Sequence, residues 1–225
     1  MITRRQFAAS TPLLAASALA LSGCSPEAAT DGYEEVAERT WRPGAVTNLS
    51  GATLGLELVR CATLAPSSHN TRCWKFALGA DGRSISILLH LARRCPAVYP
   101  DDNHVFGSLG CATENLIHAA LAQGLKGEAQ FDAAGNAVRV MLEPTRAQTT
   151  PLFTAIPVRQ CTHGDYDGKP LSSEEPALLQ RAGSSGAVRL LLLTERPAME
   201  QTLDYVIQGN TAQLADPAFV NELKA

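Results

Sequence analysis

The stretch "LAPSSHNTRCW", Leu64 to Trp74, divides two kinds of sequence. Before it, Leu54, Leu58, Cys61, Ala62 and Ala65 recur at helical spacing. Pro66 ends that helix, because proline disfavours helical backbone in the residue before it. After it, "CWKFAL" and "SISILLHL" are apolar and rich in strand formers, joined by Gly79-Ala80-Asp81-Gly82, so they form a strand, a turn and a strand. Between them, Ser67, Ser68, His69 and Asn70 gather hydroxyls, an imidazole and an amide in one turn. Small polar side chains of this kind let backbone N–H groups approach a planar polar ligand. The same residues also suit a Ser/Asx loop that caps its neighbours, and both readings stay open at this point.

The pattern continues outward. Val105 to Gly124 predicts a helix whose inner face is Leu109, Ala112, Leu116, Ile117, Ala120 and Leu121, with Gly124 as its C-terminal glycine. "KGEAQF" and "AVRVML", on either side of Ala134-Gly135-Asn136, predict a second strand pair. Thr149–Ile156 predicts a short helix. Ser172–Ala182 predicts another, with Ser172 and Glu175 at capping-box spacing. "AVRLLLLT" predicts a strand, and Met199–Leu214 and Pro217–Lys224 predict helices. Strand pairs mixed with helices place the chain in the α+β class.

Upstream, Arg4-Arg5-Gln6-Phe7 precedes an Ala/Leu/Ser stretch that closes on Leu21-Ser22-Gly23-Cys24. Paired arginines before a mild apolar core resemble a twin-arginine export signal, and the last four residues resemble a lipobox with Cys24 as the lipidated residue. The expectation is an exported lipoprotein on the periplasmic side of the membrane. Its partners are the twin-arginine export machinery and, through the lipid on Cys24, the membrane. Residues 25–50 form a tether, broken at Pro43-Gly44, in which Glu34–Trp41 makes a short helix and Trp41 packs on the body.

Composition excludes several classes. The chain has 225 residues and a formal net charge of −3, with no basic run, so no nucleic acid is expected as a partner. Without Cys24, the cysteines are Cys61, Cys73, Cys95, Cys111 and Cys161, an odd and widely spaced set that makes no disulfide framework. They are expected as buried thiols. Cys161 and His163 lack a second ligand pair, and no metal is assigned. Ser68 and His69 are neighbours without a nucleophile elbow, so they make no catalytic pair.

A second segment, Ile156-Pro157-Val158-Arg159-Gln160-Cys161-Thr162-His163, offers a guanidinium, a thiol and an imidazole to one phosphate, with Arg159 as the bidentate fork. "APSSHN" followed by Trp74 resembles the "APS-x-x-N-x-Q-P-W" segment of the nitroreductase (flavin oxidoreductase) family. "RQCTHGDYDGKPLS" resembles that family's phosphate-binding opening, and Gly110 to Leu116 resembles its Asn-Leu helix. The sequence is most similar to the exported, Acg-like branch of the family, in which one chain carries two nitroreductase-like halves. The resemblance implies a mixed sheet flanked by helices, with a first half at 51–148 and a partial second half at 149–225. The chain is accordingly expected to be truncated at its C-terminus.

The resemblance also implies one FMN site built by Pro66, Ser67, Ser68 and Asn70 from the first half and Arg159, Gln160, Cys161 and His163 from the second. The flavin would pass electrons to a small-molecule acceptor, nitroaromatic or quinone-like. Flavin carries that chemistry, so no catalytic side chain is assigned. Departures from the family pattern are Arg72-Cys73 for Gln-Pro before Trp74, Gln160 for a basic residue, Cys161 for serine, and His163 for lysine or arginine. Two other readings share the same residues: a flavin-sequestering protein without turnover, and an inactive remnant.

Overall fold

The computed structural model describes residues 32–44, 48–161, 164–184, 186 and 188–224. The expected export signal, its lipidated Cys24, the start of the tether and His163 lie outside the described residues.

Helix α1 (Tyr33–Trp41) leads to α2 (Gly51–Thr63), then to a single 3-10 turn at Ser68–Asn70. A hairpin follows, β1 (Trp74–Leu78) and β2 (Ser84–Leu89), then the long helix α3 (Asn103–Ala122). A second hairpin, β3 (Leu125–Asp132) and β4 (Ala137–Pro144), completes a sheet of order β1-β2-β4-β3. The chain ends through α4 (Pro151–Ala155), a 3-10 turn at Ile156–Val158, α5 (Glu174–Ala182), α6 (Arg196–Leu214) and α7 (Pro217–Lys224). This is the α+β class. The resemblance implied a mixed sheet, but all three strand pairings of this four-stranded sheet are antiparallel.

Turn chemistry sets both hairpins. In the first, Gly79 N–H donates to the Ser84 carbonyl at 2.8 Å, and Gly82 takes a φ of +66°, a value that only glycine holds without strain. In the second, Asp132 Oδ1 accepts from the Ala134 and Gly135 amides at 3.1 and 3.0 Å. Gly124, at φ +78°, ends α3 and turns the chain straight into β3.

The core lies between the sheet and the α2–α3 pair. Leu58 and Ala62 of α2, Leu109, Ala112, Leu116 and Ala120 of α3, Ile85 and Ile87 of β2, and Val140 of β4 are buried together. Phe153 and Ile156 belong to the same buried cluster, so the short α4 and the turn after it are anchored by apolar burial. Thr150 Oγ1 caps α4 by accepting from Phe153 N–H at 3.1 Å.

Helix α1 has no buried residue and Trp41 is 39% exposed, so Trp41 is not the anchor that the sequence suggested. Polar contacts hold α1 instead. Buried Glu57 of α2 pairs with Arg42 and with both Arg60 nitrogens Nε and Nη2, and Arg60 Nη1 donates to the Thr40 carbonyl at 2.6 Å. The carboxylate stabilises the Arg60 cation and raises its pKa further.

Two expectations in the second half are corrected. "AVRLLLLT" forms no strand: Val188 makes an isolated bridge, and 189–194 has no regular structure. A strand needs a neighbour for its ladder, and here Val188, Leu191 and Leu193 are exposed. Helix α5 begins at Glu174, two residues later than expected, although Ser172 N–H does donate to Glu175 Oε2 at 2.6 Å.

Leu116 is fully buried at the centre of α3. Leu116→Ala is expected to cost about 2–5 kcal/mol, read as a lowered denaturation midpoint in urea with an unchanged slope.

Candidate functional site

The site starts at the C-terminal end of α2. Its last turn tightens, with Leu64 N–H donating to the Cys61 carbonyl and Ala65 N–H to the Ala62 carbonyl. Pro66 then directs the chain away. Two carbonyls of this end accept from distant side chains. Asn115 Nδ2 of α3 donates to the Cys61 carbonyl at 3.2 Å, and Arg159 Nη2 donates to the Leu64 carbonyl at 3.3 Å. A cation at a helix C-terminus also opposes the negative end of the helix dipole. Arg159 is therefore held next to the Pro66–Ser68 turn, although 95 residues separate it from Leu64.

Arg159 makes one further contact: Nη1 donates to Cys161 Sγ at 3.6 Å. Its Nε is buried and has no hydrogen-bond partner among the described residues. Arg159 keeps its backbone place through its own N–H, which donates to the Ala155 carbonyl at 2.9 Å.

Pro66, Ser67 and Ser68 form one wall of an open groove of about 420 Å³. The other wall is the first two turns of α3, from Asn103 and His104 through Gly107 and Ser108 to Cys111. Nothing lies within 4 Å of where a side chain at Gly107 would begin, so the groove floor is bare there. Ser68 N–H donates to Ser108 Oγ at 3.1 Å, and Ser108 Oγ donates to the His104 carbonyl at 2.7 Å. That relay fixes the turn against α3. Ser67 Oγ accepts from Arg72 N–H at 2.9 Å, so this hydroxyl serves the turn itself.

The backbone of the turn is strained. His69, Asn70 and Arg72 all have positive φ, at 49°, 55° and 49°. Such values are uncommon outside glycine, though asparagine and histidine adopt them more readily than most residues. The reversal carries Asn70 away from the groove, into a separate cavity lined by Arg93, Arg94 and Cys95. Tyr99 steadies this side: its hydroxyl lies 3.0 Å from His69 Nε2, and its ring stacks on His104 at 3.8 Å. Arg94 pairs with Asp102, whose φ of 57° starts α3.

Of the residues expected at the site, the fold thus brings together Pro66, Ser67, Ser68, Arg159 and Cys161. Asn70 faces elsewhere, and Gln160 is exposed beside Arg159. The α3 wall was not anticipated from the sequence, although Gly110–Leu116 had been singled out for its resemblance. The thiols also differ from expectation. Cys61 and Cys73 are buried, but Cys111 and Cys161 are exposed. Cys111 is adjacent to fully buried Ala112, and one position along a helix turns a side chain by about 100°. Partial burial pushes the Cys111 thiol pKa up, while the Arg159 guanidinium pulls it down.

Among the described residues, no group of His, Cys, Asp or Glu could hold a metal ion, and no helix is long and apolar enough to cross a membrane. No protein-family model matches the chain, and no curated protein shows significant similarity to it.

Ser108→Ala removes the acceptor of Ser68 N–H and leaves that amide unpaired. A loss of about 1–3 kcal/mol in stability is expected, with faster hydrogen exchange at Ser68 ahead of global unfolding.

Proposed function

We propose that the chain is a flavin-binding protein of nitroreductase type, an FMN-dependent oxidoreductase that reduces nitroaromatic or quinone-like acceptors. The observation that carries this reading is the hydrogen bond from Arg159 to the Leu64 carbonyl. It joins the two segments that the resemblance assigns to one cofactor site, and it does so across a separation of 95 positions. A pseudo-dimer of two nitroreductase-like halves, exported and tethered through a lipid on Cys24, belongs to the same proposal.

The residues fit part of FMN. Arg159 has a buried Nε without a partner, the kind of donor that a phosphate oxygen satisfies. The groove volume lies within the usual range for small-molecule sites, and its bare Gly107 floor leaves room for a flat ring. Ser68 carries its hydroxyl on the groove wall, while its N–H is committed to Ser108. Asn70 does not take part in this arrangement. When bound, flavin would supply the hydride and electron transfer. The chain's own contribution is to hold the phosphate with Arg159 and to align the ring between the 66–68 turn and α3.

The test is titration of the purified chain with FMN, followed by flavin fluorescence and visible absorption. Quenching with a perturbed spectrum is expected. Arg159→Ala should weaken binding by about 10–100-fold, the worth of a charge-assisted hydrogen-bond pair. If bound, the flavin should be reducible by dithionite and reoxidised faster by a quinone than free FMN is. An unchanged FMN spectrum at about 1 mM protein, far above useful affinity, would overturn the reading.

A further inference from the structure

Cys111 and Cys161 come from different parts of the fold, yet the Arg159 guanidinium touches one and its charge acts on the other. Cys161 Sγ accepts from Arg159 Nη1 at 3.6 Å. Cys111 is within reach of the Arg159 charge, which acts on its thiol. A second, independent observation brings the Cys111 face of α3 and Arg159 to one place. Asn115, one helical turn beyond Cys111 on the same face of α3, and Arg159 bind carbonyls of the same α2 end, Cys61 and Leu64. Both thiols are exposed, whereas Cys61 and Cys73 are buried. Arg159 Nε is buried and without a hydrogen-bond partner among the described residues. Neither thiol has a structural duty that its exposure would contradict.

We propose that Cys161 and Cys111 form a reactive thiol pair that is oxidised by anionic disulfides, with Arg159 drawing the negatively charged substrate to them. This proposal stands on the thiols and Arg159 and does not require flavin. Cys161, beside the cation and outside the groove, attacks first. Its thiolate displaces one half of a disulfide R–S–S–R′, forming a Cys161–S–S–R mixed disulfide and releasing R′S⁻, which takes a proton from solvent. The Cys111 thiolate then attacks Cys161 Sγ and releases RS⁻. Two protein thiols are oxidised to one disulfide, and one substrate disulfide is reduced to two thiols. Partial burial keeps Cys111 more fully protonated near neutral pH, so it suits the second step, where attack is intramolecular.

The cross-link would tie the segment after α4 to α3 across Arg159. It would therefore fix the geometry of the same guanidinium that the groove uses.

The experiment treats the reduced full chain with oxidised glutathione, an anionic disulfide, and in parallel with cystamine, a cationic one. Peptide mapping by mass spectrometry then locates every thiol product, Cys24 included. The expected result is a Cys111–Cys161 disulfide in the wild type and a mixed disulfide stopped on Cys161 in Cys111→Ser. The anionic reagent should react about 10-fold faster than the cationic one, and Arg159→Gln should abolish that preference. Circular dichroism of each variant separates loss of folding from loss of chemistry. Since Cys111→Ser changes an exposed position, it should keep the wild-type spectrum.

Three outcomes would overturn the proposal. One is a wild-type mixed disulfide on Cys161 that never resolves to Cys111. Another is oxidation falling on Cys73 and Cys95 instead. The third is equal rates with both reagents, or the same rates and products in urea. FMN binding measured on the same samples reads the flavin proposal separately, because the thiol products do not depend on it.

Discussion

The C-terminal turn of α2 is the constraint on which the rest of the site depends. A helix that stops at a proline leaves carbonyls without intrahelical partners, and burying them unpaired would cost about 1–3 kcal/mol each. Here Arg159, from beyond the sheet, is the partner of the Leu64 carbonyl, and Asn115, from the middle of α3, adds a second donor to the Cys61 carbonyl, which already accepts from Leu64 N–H. These two contacts hold α3 beside the end of α2 and bring a cation next to the 66–68 turn. Apolar burial alone would not fix this register. It holds α2, α3 and the sheet together, while the polar contacts decide which turn meets which side chain.

Much of the fold was legible because local chemistry and global packing agree. The two hairpins carry their own turns, at Gly79–Gly82 and at Asp132–Asn136, and β-branched residues flank them. Helix α3 shows its period without interruption for five turns and stops at a glycine in the left-handed region. "AVRLLLLT" misled for the opposite reason. Its residues favour strands, but a strand is made by its neighbour, and nothing in the segment itself tells whether a neighbour exists.

The site was legible in part. The juxtaposition of Pro66–Ser68 with Arg159 followed from motif order, not from any periodicity. Asn70 escaped because two successive left-handed residues reverse the direction of its side chain, and only asparagine and histidine identities hint at that backbone. The α3 wall escaped for a subtler reason. Gly107, Ser108 and Cys111 lie at helical spacing among small residues, and small residues serve equally as tight core packing and as the floor of a groove. The serine-rich turn is both a loop that satisfies itself, through Ser67 and Arg72, and a wall of the groove, so the two sequence readings were never exclusive.

The long reach of the Arg159–Leu64 contact has an entropic meaning. A flexible chain pays for closure only logarithmically in its length, about 0.6 kcal/mol for each doubling. In this fold even that cost shrinks, because the intervening chain is already gathered into two hairpins and α3. What stays free is the short connection after β4, itself pinned where Thr145 N–H meets the Gly124 carbonyl and Gln148 N–H meets the Leu121 carbonyl. Growth or shrinkage at the exposed hairpin tips therefore leaves the effective span between Leu64 and Arg159 unchanged. The two segments that this contact joins can drift apart in sequence without drifting apart in space.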